Sequence, residues 1–279
     1  MSKGIVVLAQ NSDTENYIDQ AIVLAQSVRL TNPDIPVSII TDDEVEDKDL
    51  FENIIPIPWG DLADGKSWKV ENRWKVFHAS PYKETLVLDT DMIFLENIDH
   101  WWNFFENYDL YFTSNVKTYR QEVVRSDYYR KTFTSNNLPN IYTGMYYFKH
   151  CEFTHNFFAY LEMIMRNWDQ FYDIFLQKER PQHLSVDVCA AITCNLLDCT
   201  SKVTNSKIVS PTFTHMKAHV QEWKTPRNKW LDYISPYLDN DCCLKIGNHL
   251  QHGIFHYTEK DFLNHTDAKE KYRRLLNNE

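Results

Sequence analysis

The chain has 279 residues, 43% of them hydrophobic and 14% aromatic, enough for a packed core and too apolar for a disordered chain. Its formal net charge is -10, and no basic run is longer than the mixed stretch 66–75. Nucleic acid is therefore disfavoured as a partner, while an anionic diphosphate stays open if a divalent cation bridges the two.

Only six glycines occur, and neither a G-x-G-x-x-G nor a Walker sequence is present. The six cysteines, Cys151, Cys189, Cys194, Cys199, Cys242 and Cys243, contain no C-x-x-C pair, so they read as reduced thiols packed as small hydrophobes. The first ten residues lack the charged and apolar regions of a signal peptide. No apolar run has the length of a membrane span, and the expected compartment is the cytoplasm.

In chain order, Gly4–Ala9 is a continuous apolar run that suits a strand buried on both faces. Polar residues 10–16 form a loop. Ile18, Ala21, Ile22, Leu24, Ala25 and Val28 then mark a helical stripe over Tyr17–Leu30, ended by Asn32-Pro33. Val37–Thr41 is the next strand, which completes a β-α-β unit with a right-handed crossover. Ile54–Ile57 reads as a short strand, 71–79 as helix, and Thr85–Leu95 as one long strand. Leu110–Thr113 and Tyr142–Lys149 are further strands; Phe153–Trp168 and Ser185–Leu197 are helices, the second with Ser185 as N-cap. The pattern predicts one alternating α/β unit on a mainly parallel sheet, with a loop-rich, aromatic last third.

Asp89 and Asp91 stand two apart within Thr85–Leu95, so on one strand both carboxylates would share a face. Inside that apolar stretch they would repel each other and resist desolvation, unless a divalent cation sits between them. Hard oxygen ligands suit Mn2+ or Mg2+, and the crevice at the carboxyl ends of the strands is where such a sheet takes its ligand. The bland alternative is a solvated strand end with two capping aspartates.

The segment Pro81–Asp91 resembles that of GT-A-type glycosyltransferases related to glycogenin and to bacterial lipopolysaccharide galactosyltransferases. The resemblance continues in order along most of the chain. It implies a single α/β domain over 1–279, with a Rossmann-like central sheet and flanking helices. Residues 1–95 would be the nucleotide- and metal-binding half, and 96–279 the sugar- and acceptor-binding half with a closing segment. Asp89 and Asp91, flanking Thr90, would hold Mn2+ (or Mg2+), and the metal would hold the diphosphate of a UDP-sugar. Tyr17 takes the place of a tyrosine that stacks on uracil; Ala9, Asn11 and Asp42 would line the nucleoside pocket.

Asn72-Arg73-Trp74-Lys75 is similar to the family's basic helix before the acidic strand, so Arg73, and second Lys75, would meet the donor. Tyr142–Phe148 is similar to an N-A-G-V-type strand: Gly144 matches its glycine, while Tyr142, with Asn140 nearby, replaces its asparagine. Leu184–Asp187 resembles the later acidic helix start and makes Asp187 the sugar-facing carboxylate. Gly253–Tyr257 with Lys260 is similar to a closing signature in which His256 would be the third metal ligand and Lys260 would meet phosphate. No glycine follows His256 here, and the lysine comes early. The activity implied is transfer of a hexose, from UDP-glucose or UDP-galactose, to a glycan, lipid or protein acceptor with retention of configuration.

Other classes fit less well. A metal-dependent nucleotidyltransferase or phosphatase would want a basic loop after the first strand, and residues 10–16 contain no basic residue. A glycosidase needs carboxylates flanking the scissile bond, which two positions of one strand do not give. A non-catalytic sugar-binding module has no task for a buried acidic pair. His215 is weighed between a place near the acceptor and a solvated loop histidine, with the loop reading favoured, and His249 and His252 are rivals of His256. Trp101 reads as core, and Tyr147 stays open between core and sugar stacking.

Overall fold

The computed structural model describes residues 2–66, 68–124, 130–218, 227–259 and 261–278. The first apolar run forms β1 (Lys3–Leu8), and the stripe after it forms α1 (Tyr17–Thr31). Asn16 caps this helix by accepting the Asp19 N–H at 3.0 Å, which satisfies one of the orphan donors of the first turn. Then come β2 (Val37–Ile40), β3 (Asn53–Ile55), a 3-10 turn at Arg73–Lys75, α2 (Val76–Ala79) and β4 (Glu84–Leu88). The middle of the chain supplies β5 (Met92–Phe94), α3 (Asp99–Phe105), β6 (Leu110–Thr113), α4 (Lys131–Ser135) and β7 (Tyr142–Lys149). It continues through α5 (Glu152–Arg166), α6 (Trp168–Phe175), α7 (Val186–Leu196) and α8 (Thr200–Val203). The last part holds β8 (Phe213–His215), β9 (Pro236–Leu238), β10 (Leu244–Ile246), β11 (His249–Leu250), β12 (Ile254–His256), α9 (Phe262–Thr266) and α10 (Ala268–Asn277).

The central sheet runs β3-β2-β1-β4-β7-β6. Pairings among β1 to β4 are parallel, and only β7 runs against its neighbours β4 and β6. Alternate residues of the strands enter two different cores. Val6, Leu8, Val87 and Phe148 pack with α5 and α7 on one face; Ile5, Val7, Leu86 and Leu88 pack with α1 and α3 on the other. This is the mainly parallel α/β architecture expected from the sequence. Gly4 matters in it: an added Cβ would meet the Tyr82 ring at 2.5 Å, and that ring crosses β1 to place its hydroxyl 2.7 Å from Ser38 Oγ on β2.

Two small sheets flank the large one, β11-β10-β9 and β5-β12-β8. The second corrects the sequence reading most. Thr85–Leu95 is not one strand: β4 ends at Leu88 in the central sheet, and β5 begins at Met92 in another sheet. Asp89, Thr90 and Asp91 form the link between them. The predicted helix over 153–168 also divides, at Asn167, into α5 and α6. Ser185 precedes α7 as expected, but its side chain makes no capping hydrogen bond. Tyr147 resolves as core, fully buried and stacked on Phe105 at 4.5 Å, and Trp101 is buried too. All six cysteines are free, and Cys243 is exposed rather than packed. Among the described residues no helix is long and apolar enough to cross a membrane.

Candidate metal and donor site

Where β4 leaves the central sheet, the Asp89 N–H still donates to the Gly144 carbonyl at 2.8 Å, so its backbone is fixed by β7. Gly144 lets its side chain fold back across that strand. A Cβ there would stand 2.9 Å from Asp89 Oδ2 and 3.3 Å from Met92 Cε. Two residues on, Asp91 accepts the Tyr257 N–H at 3.1 Å, which ties it to β12. Thr90, between them, is buried and donates to Gln20 Oε1 at 3.0 Å, anchoring the link to α1 rather than facing the cavity.

β12 pairs antiparallel with β5, with His256 opposite Met92. That register brings His256 Nε2 to 3.0 Å from Asp91 Oδ1 and 4.0 Å from Asp89 Oδ2. One ligand atom from each of Asp89, Asp91 and His256 lies within 4.8 Å of the others. His256 Nδ1 is buried without a hydrogen-bond partner among the described residues, so only the opposite nitrogen is directed to the acids. Two carboxylates and an imidazole at this spacing fit a divalent cation such as Mn2+ or Mg2+. The rival histidines lie elsewhere: His252 pairs with Glu96 at 2.6 Å, and His249 is exposed beside Tyr119.

Arg73 ion-pairs with Asp89 Oδ1, so a cation faces the acids from the 3-10 turn. The turn is held by fully buried Asn72, whose amide donates to Gln10 Oε1 at 2.8 Å and to Asp61 Oδ1 at 2.5 Å. Lys75 does not join Arg73. It is buried, and its amine donates to the Gly60 carbonyl, so it anchors the preceding loop.

Across a cavity of about 160 Å3 from the acids and His256 stands Asp187, at the start of α7. Its Oδ1 accepts the Thr143 N–H at 2.8 Å and the Thr143 hydroxyl at 2.5 Å; Oδ2 accepts from Arg130 at 2.5 Å. Burial pushes the Asp187 carboxyl upward, but Arg130 and the Thr143 bonds outweigh it and hold the group below the usual aspartate range. Arg130 is itself fixed by Asn140 Oδ1 at 2.7 Å and by the Ile141 carbonyl. Its guanidinium lies 3.7 Å from the Phe133 ring centre and 4.0 Å from that of Tyr142.

Sequence reasoning missed Arg130 and Thr143, and it misplaced His215. That histidine lies on β8, in register with His256 of β12, with their rings 5.2 Å apart. It lines the cavity, and burial, reinforced by His256 and Lys217, lowers its pKa well below the usual value.

The nucleoside candidates gather at the carboxyl ends of β1 and β2. The buried Ala9 donates to the Ile40 carbonyl at 3.0 Å. Asn11 is bound on both sides, its N–H to Asp43 Oδ2 at 2.7 Å and its Oδ1 to the Ile18 N–H at 3.1 Å. Asp42 accepts the Ile57 N–H at 2.9 Å. Tyr17 opens α1, half-buried against the core beneath it. Lys260 lies outside the described residues.

No family model matches the chain, and no curated protein does. Solved structures do. The galactosyltransferase LgtC, in complex with donor and acceptor sugar analogs, superposes with a TM-score of 0.54 at 15% identity, covering 98% of this chain and 95% of that one. The apo form of mouse xyloside xylosyltransferase 1 gives 0.53 at 9% identity, covering 92% and 98%. The chain has the GT-A-type fold of these glycosyltransferases.

Proposed function

We propose that the protein is a metal-dependent glycosyltransferase that moves a hexose from a UDP-sugar, UDP-glucose or UDP-galactose, to an acceptor hydroxyl with retention of configuration. The observation that carries this reading is the convergence of Asp89, Asp91 and His256, with Arg73 beside them and Asp187 across one small cavity. In this reading the first 95 residues bind nucleotide and supply two of the metal ligands, residues 96–279 bind sugar and acceptor and supply the closing segment with His256, and the whole is one domain. The cytoplasm is the proposed compartment, in keeping with six free cysteines.

Asp89, Asp91 and His256 would hold Mn2+, or Mg2+, which when bound supplies Lewis-acid stabilisation of the departing diphosphate. Tyr17 would stack on uracil, with Ala9, Asn11 and Asp42 around the nucleoside. Arg73, released from Asp89, would donate to phosphate oxygens where negative charge grows, with Lys260 proposed for the same task. Asp187, kept ionised by Arg130 and Thr143, would orient the sugar and stabilise positive charge at C1. Gly144 would leave room for donor and acid side by side. The bond from C1 to the diphosphate oxygen breaks and the bond from C1 to the acceptor oxygen forms; the acceptor proton leaves on the released diphosphate. Release of UDP from UDP-glucose or UDP-galactose, measured with Mn2+, with EDTA, and after Mn2+ is restored, tests the reading. Turnover that EDTA abolishes and Mn2+ restores is expected. Turnover indifferent to EDTA, or none with either donor, would overturn it.

A further inference from the structure

Asp187 faces two spaces. One is the cavity it shares with Asp89 and His256; the other, about 170 Å3, is also bounded by Arg73 and Thr143. Trp68, a residue 59% exposed, lines this second space, with its ring 5.6 Å from that of His183. An exposed indole leaves a large apolar face against water, and a flat partner recovers that area. The loop that carries it is held at both ends: Asn72 is locked to Gln10 and Asp61, and Lys69 Nζ donates to the Ala63 carbonyl at 2.7 Å.

We infer that this space is the acceptor subsite and that its occupant is a pyranose ring, stacked on Trp68 with a hydroxyl directed to the side of Asp187. The inference rests on the glycosyltransferase reading, because that reading puts the transferred sugar between the acids and Asp187. Arg73, which that reading puts on the departing diphosphate, also lines this space, so an acceptor hydroxyl reaching in from it would meet C1 on the leaving-group side, as retention requires. A pyranose fits the chemistry of the walls: one flat aromatic face for its C–H side, and Ser185, His183 and Asp187 for its hydroxyl rim. A lipid tail would require a longer apolar groove; the space is smaller than the roughly 300–1,000 Å3 of pockets that enclose a drug-sized ligand. It takes one ring and leaves the remainder of a glycan outside.

The test uses the full-length protein labelled with 15N, with the methyl glycosides of glucose and galactose as probes. The indole N–H signal absent from the Trp68→Phe variant identifies Trp68. It should shift on titration with at least one methyl glycoside and not with a short alkyl alcohol. Independently, Trp68→Ala should raise KM for a glycoside acceptor by about tenfold, equivalent to one modest aromatic contact. UDP affinity and slow donor hydrolysis should stay as in the wild type, and Trp68→Phe should recover most of the loss. No shift of the Trp68 signal with either glycoside overturns the subsite. So does a loss of UDP affinity in Trp68→Ala that matches the loss in acceptor use. A Trp68 signal that responds to glycosides in a protein that turns over no UDP-sugar would support sugar binding here and remove the transferase reading instead.

Discussion

His256 and Asp91 are 165 positions apart in sequence, yet His256 Nε2 lies 3.0 Å from Asp91 Oδ1 because β12 pairs with β5 in the register that sets His256 opposite Met92. The contact is made by backbone pairing, so substitutions at either side chain should leave the strands in place. Asp91→Ala and His256→Ala are each expected to fold and to weaken Mn2+-dependent UDP binding. The loss should be about a hundredfold or more, since even outer-shell changes at metal sites cost about 10–100-fold. Calorimetry with UDP and Mn2+ measures this; unchanged affinity in both variants removes the metal site.

Gly144→Ala tests the close approach of β7 to the acids. Its Cβ would stand 2.9 Å from Asp89 Oδ2, so that carboxylate must turn away. Misplacement of a reacting group by about 1 Å can cost around 10²-fold, and a fall in kcat/KM of that order is expected. Circular dichroism should be unchanged. A fully active alanine variant would show that the carboxylate is not needed where it now lies.

Tyr17→Ala is expected to raise the UDP dissociation constant while Mn2+ stoichiometry is unchanged. Aromatic stacking on a base is worth about 1–3 kcal/mol, or roughly five- to 150-fold. Binding of inorganic pyrophosphate with Mn2+, measured beside that of UDP, separates base from phosphate: only UDP binding should suffer.

Arg130→Gln removes the largest influence that lowers the Asp187 pKa. In the wild type the folded value lies below the unfolded one, about 3.9. The stability from this group is complete above that range and lost as pH falls through the lower folded value. In the variant Asp187 should titrate at higher pH, so the acid limb of kcat/KM moves upward and the stabilisation fades at a higher pH. At neutral pH kcat should fall about 10–100-fold, as for supporting partners of a site residue. A variant with an unmoved acid limb would mean that Asp187 is not the group titrating in catalysis.

The doubly wound half was legible because its strands are continuous apolar runs and α1 carries a clear stripe. The acidic pair was legible as chemistry but not as geometry. Leu86–Leu88 and Met92–Phe94 are equally apolar, so nothing local marks the change of sheet between them. Lys75 stands two residues from Arg73, and sequence alone could not tell that its amine turns to Gly60. Arg130 carried no signal at all: its partners Ile141 and Asp187 meet it only in the folded chain. His215 was misplaced because β8 is three residues long, too short to show an alternation.

The order β5-β12-β8 puts the last of those strands to be synthesised in the middle of its sheet. A growing chain can complete the central sheet and expose Asp89 and Asp91 long before residues 254–256 exist. Until then β5 and β8 lack the strand that joins them, and the acids lack their imidazole. The same late segment also closes the third core, where Phe255, Tyr257, Phe262 and Tyr272 pack on Val23 and Ile93, so the acids gain their imidazole only together with the packing that holds α10 to α1.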